Sequence, residues 1–218
     1  MKFIDHNGLP LEDIERYEHI EVVVNQALVP SDAVVLELGG RLGVVSCTLN
    51  RKLTNPAAHV VVEPYDLYVE AIIKNRQTNN CGFEILMGAI SDKPMKYIPG
   101  EHKELTLQCD NPEDSNITTY TYEDALNLLP PGLTFDHIVA DCEGAFEMFL
   151  RENIDRVKDW KYVFLEYDCA DRCDYKWIET TLKNNGLTKI RSGFHSVFAR
   201  EPLSPYVKYT PDVNVGNM

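Results

Sequence analysis

The sequence contains no apolar run approaching the roughly 20 residues needed to cross a bilayer. It also has no paired CxxC motif. Its six cysteines, Cys47, Cys81, Cys109, Cys142, Cys169 and Cys173, are irregularly spaced, and the last two stand four apart with no matching second pair. That arrangement argues against a finger-type zinc site. Positive charge is scarce: 21 Lys plus Arg stand against 34 Asp plus Glu, a formal net charge of −13. Such a surface repels phosphate backbones and speaks against general nucleic-acid binding. There is no internal repeat and no low-complexity segment. The N-terminal stretch MKFIDHNGLPLEDIERYEH is neither a secretory signal nor a transit peptide. The expectation is a soluble, cytoplasmic protein with free thiols and neither membrane nor nucleic acid as partner.

What is present is an alternation of two periodicities. Continuous apolar runs at 33–38 (AVVLEL), 59–64 (HVVVEP), 83–90 (FEILMGAI), 135–141 (FDHIVAD) and 161–168 (KYVFLEYD) have the composition of strands buried on both faces. Helical spacing occupies 11–28, 44–53, 66–79, 121–129, 145–153 and 174–185, and LTKI (187–190) and HSVFAR (195–200) complete the strand set. MKYIPGEHKELTLQ (95–108) reads as a hairpin around Pro99-Gly100. Strands alternating with helices predict an α/β fold: a doubly wound, mostly parallel sheet of about seven strands with helices on both faces. The 218 residues fit one domain, with an N-terminal helical segment (1–30), an insertion at 95–134 shaping the acceptor site, and an irregular tail (201–218). In such sheets ligands bind beyond the carboxyl ends of the strands, and Glu37, Glu63, Asp141 and Glu166 all fall at or beside such ends.

The stretch VVLELGGRLG (34–43) does not fit a dinucleotide fingerprint, which places its first glycine at position 38, here Leu38. Its spacing is Glu37-x-Gly39-x-x-x-Gly43, a carboxylate followed by glycines that let backbone approach a ligand without a Cβ. That suits an ammonium group better than a pyrophosphate. Glu63 ends the next strand, 20 residues beyond Gly43, where an acid accepts ribose hydroxyls. Ammonium, ribose and no pyrophosphate describe S-adenosyl-L-methionine. A nicotinamide-dependent oxidoreductase is the competing reading, weakened by Leu38 and by the lack of a Tyr-x-x-x-Lys pair; a non-catalytic binding module is a third.

VVLELGGRLGVVS resembles the first motif of class I methyltransferases, and VVVEPYDLYVEAIIKNRQTNN their second. IVADCEGAFEMFL and YVFLEYD resemble the Asp-Val-Glu-Gly-Ala-Glu block, and the strand after it, of FkbM-family O-methyltransferases. The likeness covers residues 30–94 and 118–200. Gly40 stands where the family often has alanine, Cys142 replaces an apolar residue, Phe146 replaces the final acid, and 95–117 have no counterpart. The resemblance implies a Rossmann-like class I methyltransferase fold and transfer of a methyl group to a hydroxyl of a sugar, glycan or glycosylated metabolite. It also places the donor on Glu37, Gly39, Gly43, Glu63, Pro64, Ala89 and Ser91, the last two in the region that meets adenine.

Asp141, Glu143, Glu166 and Asp168 crowd the ends of two adjacent strands, where uncompensated carboxylates raise one another's pKa. A divalent cation with oxygen ligands relieves this. Catechol-type O-methyltransferases, which share the topology, hold magnesium at these ends, so Asp141, Glu166 and Asp168 are the expected ligands of Mg²⁺ or Mn²⁺. The expected catalytic residues are Asp141, Glu143 and His195. His137, within a strand, reads as a core histidine. Tyr17 and Glu18, on the helix before the first strand, have two readings, closure over the donor and, the favoured one for each, core packing or plain solvation.

Overall fold

The computed structural model describes residues 1–12, 18–100 and 105–200. Residues 13–17 of the expected helix at 11–28, Tyr17 included, the tip of the expected hairpin (101–104) and the tail at 201–218 lie outside them; the described part of that helix is His19–Leu28. No helix among the described residues is long and apolar enough to cross a membrane.

The central sheet has seven strands. They are β1 (Val35–Leu38), β2 (His59–Glu63), β3 (Glu84–Met87), β8 (His137–Ala140), β9 (Tyr162–Glu166), β10 (Leu187–Arg191) and β11 (His195–Arg200). Their spatial order is β10-β11-β9-β8-β1-β2-β3, with β11 antiparallel to both neighbours and the remaining pairs parallel. Every residue of β1, β2 and β8 is buried, as continuous apolar runs in a covered parallel sheet should be. The alternation of side chains separates two faces. Leu36, Leu38, Ile138 and Leu165 pack with α4 (Tyr122–Leu126), α5 (Phe146–Glu152) and α6 (Tyr175–Asn184). Val35, Val139, Phe164 and Val197 face α1 (His19–Leu28) and α2 (Val44–Asn50) on the other side. Val61 meets α3 (Asp66–Thr78) there through Ile72 and Tyr68.

The expected strand at 83–90 is two. β3 ends at Met87, Gly88 takes φ +150°, and β4 (Ala89–Ile90) leaves the sheet to pair in parallel with β7 (Thr119–Tyr120). A Cβ on Gly88 would lie 2.2 Å from the Thr118 carbonyl oxygen, so the departure requires glycine there. The hairpin at 95–108 is formed by β5 (Met95–Ile98) and β6 (Leu105–Gln108), antiparallel. α4 is shorter than its apolar pattern suggested; Thr121 and Asp124 close its start in a reciprocal capping box.

The strand order reverses between β1 and β8, since β1 continues to β2 on one side and its other neighbour is reached only after a long crossover. A crevice outside the carboxyl ends at such a switch point is where this architecture binds ligands.

Candidate functional site

A cleft occupies that crevice, with about 810 Å³ of open space when its mouth to solvent is included. Its walls include Gly39, Glu63, Pro64, Ala89, Asp141 and Glu143. Glu63 is buried and rigidly aimed. Its Oε2 accepts the backbone N–H of Arg41 at 2.7 Å and its Oε1 that of Tyr65 at 2.8 Å. A carboxylate fixed at the end of the second strand is placed where this architecture reads ribose hydroxyls. The β5–β6 hairpin contributes Met95, Tyr97 and Thr106 to the same wall, and the Tyr97 ring stacks on Tyr65 at 4.3 Å.

Three residues expected at the donor lie elsewhere. Glu37 shares the face of β1 that carries Val35, and so points toward α2. Its Oε1 accepts the Ser46 hydroxyl at 2.6 Å, and its Oε2 lies 2.9 Å from Nε2 of the fully buried His59. Gly43 faces Ile72 of α3, whose Cγ1 would be 2.7 Å from an added Cβ. Ser91 turns to α5: its hydroxyl donates to Glu152 and accepts from Lys93 N–H and from the Gln108 amide.

The glycines therefore hold protein as well as leaving room for a ligand. Gly39 has φ +96°, and a Cβ there would overlap the Asp141 carbonyl oxygen at 1.7 Å. Gly40 is hemmed by Val61 and Ile72. The turn after β1 is pressed against the end of β8 in a way only glycine allows.

The ligand oxygens of Asp141, Glu166 and Asp168 lie within 4.8 Å of one another, and Glu143, Asp168 and Cys169 form a second such group. Burial foremost, then the hydrogen bond with Asp141, pushes the Glu166 carboxyl up to about 10. Asp141 is also raised by burial, with the Glu166 hydrogen bond acting in the opposite sense. Both shifts run in the sense of a proton shared in that hydrogen bond, held on the Glu166 side. His195 Nε2 is 3.5 Å from Glu166 Oε1. Burial first, then the nearby Arg191 charge, pulls its imidazole down to about 4. Burial thus disfavours the charged form of both side chains. Glu143 adopts φ +51°, followed by Gly144 at +84°. A left-handed non-glycine residue costs on the order of 1–3 kcal/mol and tends to mark a functional position. Gly144 is required because a Cβ would press on Cys169 Cβ at 2.8 Å.

The chain matches the precorrin-6y C5,15-methyltransferase from Geobacter metallireducens GS-15 at 14% identity and TM-score 0.53, covering 90% of this chain and 93% of that one. It matches a protein of the NADB-Rossmann superfamily from Streptococcus agalactiae at 10% identity and TM-score 0.51, covering 83% and 67%. The fold is Rossmann-like, a seven-stranded, mostly parallel sheet with helices, as in these two proteins. No protein-family model matches the chain, and no curated protein matches its sequence.

Three residues of the site went unread in the sequence. Arg41, at φ +44°, supplies the N–H that fixes Glu63. Tyr97 arrives from a hairpin with no counterpart in the resemblance. The Tyr175 hydroxyl accepts the N–H groups of Asp168 and Cys169 at 3.1 Å and donates to Asp168 Oδ1 at 3.0 Å, setting the loop after β9. Its ring stacks on Tyr167 at 4.2 Å. Nothing local in the sequence singled it out, because Tyr175 opens a helix seven residues beyond the carboxylate it holds.

Proposed function

We propose that the protein is an S-adenosyl-L-methionine-dependent O-methyltransferase of FkbM type, acting on a hydroxyl of a sugar, glycan or glycosylated metabolite. The observation that carries the reading is Glu63. Its carboxylate ends β2 in the wall of the crevice, oriented by two backbone N–H groups, at the place where this architecture meets ribose hydroxyls. Leu38, Val62, Ile90 and Phe149 add an apolar wall suited to a purine. Transfer breaks the methyl–sulfur bond of the sulfonium as the acceptor oxygen forms its bond to the methyl carbon, and it releases the hydroxyl proton. Asp141 and Glu143 are the carboxylates of the cavity wall able to take that proton, with neutral His195 behind Glu166. Positioning supplies much of the acceleration in such a displacement.

The all-oxygen set of Asp141, Glu166 and Asp168 fits a hard divalent cation, Mg²⁺ or Mn²⁺, better than zinc. Bound there, the ion would lower the pKa of the acceptor hydroxyl. The net charge of −13 favours a small-molecule or carbohydrate acceptor over nucleic acid. All six cysteines are free, which suits a reducing, cytoplasmic setting. The test compares the thermal shift given by S-adenosylhomocysteine with that given by NAD. Stabilisation by the first alone supports the reading, and stabilisation by NAD alone replaces it with an oxidoreductase.

A further inference from the structure

The thiols of the chain are not equivalent. Burial pushes the Cys142 thiol up, and that of Cys173 up to about 12, so neither ionises readily. Cys47 and Cys81 form a pair of another kind. Cys47, in α2, is fully buried among residues that include Leu42, Val44, Val61 and Ile72. Cys81 stands 34 residues further on, partly exposed, in the loop that enters β3. Its Sγ donates to the Cys47 carbonyl oxygen at 3.7 Å, shared with that of Asn79, and the two thiols hydrogen-bond to each other.

The meeting is built into the fold. Cys81 N–H donates to the Arg76 carbonyl at 2.9 Å, which ties the loop to α3. Gly82 N–H donates to Asn50 Oδ1 at 2.8 Å, which ties it to the end of α2. The surroundings favour a thiolate on Cys81. The hydrogen bond from Cys47 lowers its pKa most; burial opposes this, and the Arg51 and Arg76 charges add to the lowering. Cys47 moves the other way, raised by the same hydrogen bond and then by burial. Cys81 is therefore the nucleophile of the pair and Cys47 its proton-bearing partner. An accessible thiol that ionises easily beside a second thiol is the arrangement of a cysteine that reacts with oxidants.

We propose that Cys81 is a site of reversible oxidation by a peroxide, with Cys47 as the resolving thiol that closes an intramolecular disulfide. The Cys81 thiolate attacks one peroxide oxygen. An S–O bond forms, the O–O bond breaks, and the departing hydroxide takes up a proton to leave as water. Sulfur is oxidised to the sulfenic acid and the peroxide is reduced. The Cys47 sulfur then attacks the Cys81 sulfur. An S–S bond forms, the S–O bond breaks, and the hydroxide released takes the Cys47 proton and leaves as a second water. Two thiols and one hydrogen peroxide thus become one disulfide and two waters. The cross-link encloses residues 47–81, and with them β2, α3 and Glu63. The proposal does not rest on the methyltransferase reading, since neither the cleft nor a donor takes part.

The experiment treats the folded full chain with equimolar hydrogen peroxide at neutral pH, blocks the remaining thiols and maps all six cysteines by mass spectrometry. Circular dichroism in parallel follows the fold. The expected product is one Cys47–Cys81 disulfide, lighter than the reduced chain by two hydrogens and returned to it by dithiothreitol. In Cys47→Ala the reaction should stop at the sulfenic acid, which dimedone labels at Cys81. Cys81→Ser, at a partly exposed position, should keep the fold and lose both the cross-link and the label. Oxidation that begins at another cysteine overturns the proposal. So does a native chain that is oxidised at Cys81 without a bond to Cys47, or a cross-link that appears only once the chain has unfolded. Because the native chain alone decides between these outcomes, a variant that folds poorly does not blunt the test.

Discussion

Glu37 and Glu63 sit at or next to the ends of neighbouring strands and are both buried, yet only Glu63 faces the cavity. Their sequence contexts are alike, which is why both read as donor contacts. The difference is depth. Both lie on the α2–α3 face of the sheet, but Glu37 stands one residue short of its strand end, where Ser46 of α2 covers it, whereas Glu63 is the last residue of β2. Two substitutions separate the roles. Glu63→Ala should weaken S-adenosylhomocysteine binding about tenfold or more, from the 1–3 kcal/mol of hydroxyls left unpaired, as calorimetry would read. Glu37→Ala should instead lower the melting temperature, because Ser46 and His59 lose a buried partner, while affinity per folded molecule stays near native. Gly39 gives a different lesson. Its spacing was legible as a close approach, but the partner in the structure is the Asp141 backbone. Gly39→Ala is therefore expected to destabilise the fold by about 2–4 kcal/mol, from overpacking and a left-handed backbone, measurable by urea unfolding.

At the level of elements, the strands of the central sheet were readable because buried parallel strands are continuous apolar runs. FEILMGAI misled for the same reason: a run that changes sheet at Gly88 is no less apolar than one that does not. The loss of Ser91 from the donor site follows, since leaving the sheet turns that side chain toward α5. One polar residue ties the starts of three strands. Asp136, just before β8, accepts from Val34 N–H at 2.8 Å, lies 2.6 Å from His137 Nδ1, and accepts from Lys161 Nζ at 2.8 Å. Burial alone would raise its pKa. The His137 contact, with the Lys161 and Val34 bonds, overrides that and holds it at about 2. A carboxyl depressed in the folded state stabilises fully above its unfolded value of about 4, and that contribution is lost as pH falls toward 2. Melting temperature should fall through this window, and Asp136→Asn, already lower at neutral pH, should show a shallower fall there.

For the molecule as a whole, the α/β alternation gave the layered architecture. The placement of β11 between β9 and β10 was not readable, because antiparallel insertion leaves no mark on either strand's composition. It matters for the site: running opposite to the other strands, β11 begins where they end, and the register His195↔Glu166 delivers the imidazole to the carboxylates. The acidic surplus of the chain also has a testable counterpart here. If a divalent cation offsets the cluster, excess chelator should abolish methyl transfer while S-adenosylhomocysteine still binds, because Glu63 lies on β2 and not among the ligands. Asp141→Asn should behave the same way and resist rescue by added magnesium. Full activity in chelator would assign the proton to Glu143 or His195 alone.

The pairing of β1 with β8 also governs how the crevice is assembled during synthesis. Val34 and Asp136, which are bonded where these strands begin, are separated by 102 residues. A ribosome-bound chain that has released β1, β2 and β3 has one complete edge on β1 and one bare edge. The wall that carries Asp141 cannot close on Gly39 until the hairpin, α4 and β8 have followed. Non-local strand pairing of this kind is slow, and an unpaired apolar edge is a template for wrong partners. In the growing chain the edge of β1 is thus the segment that most needs shielding, and it is the same edge that later forms the floor of the crevice.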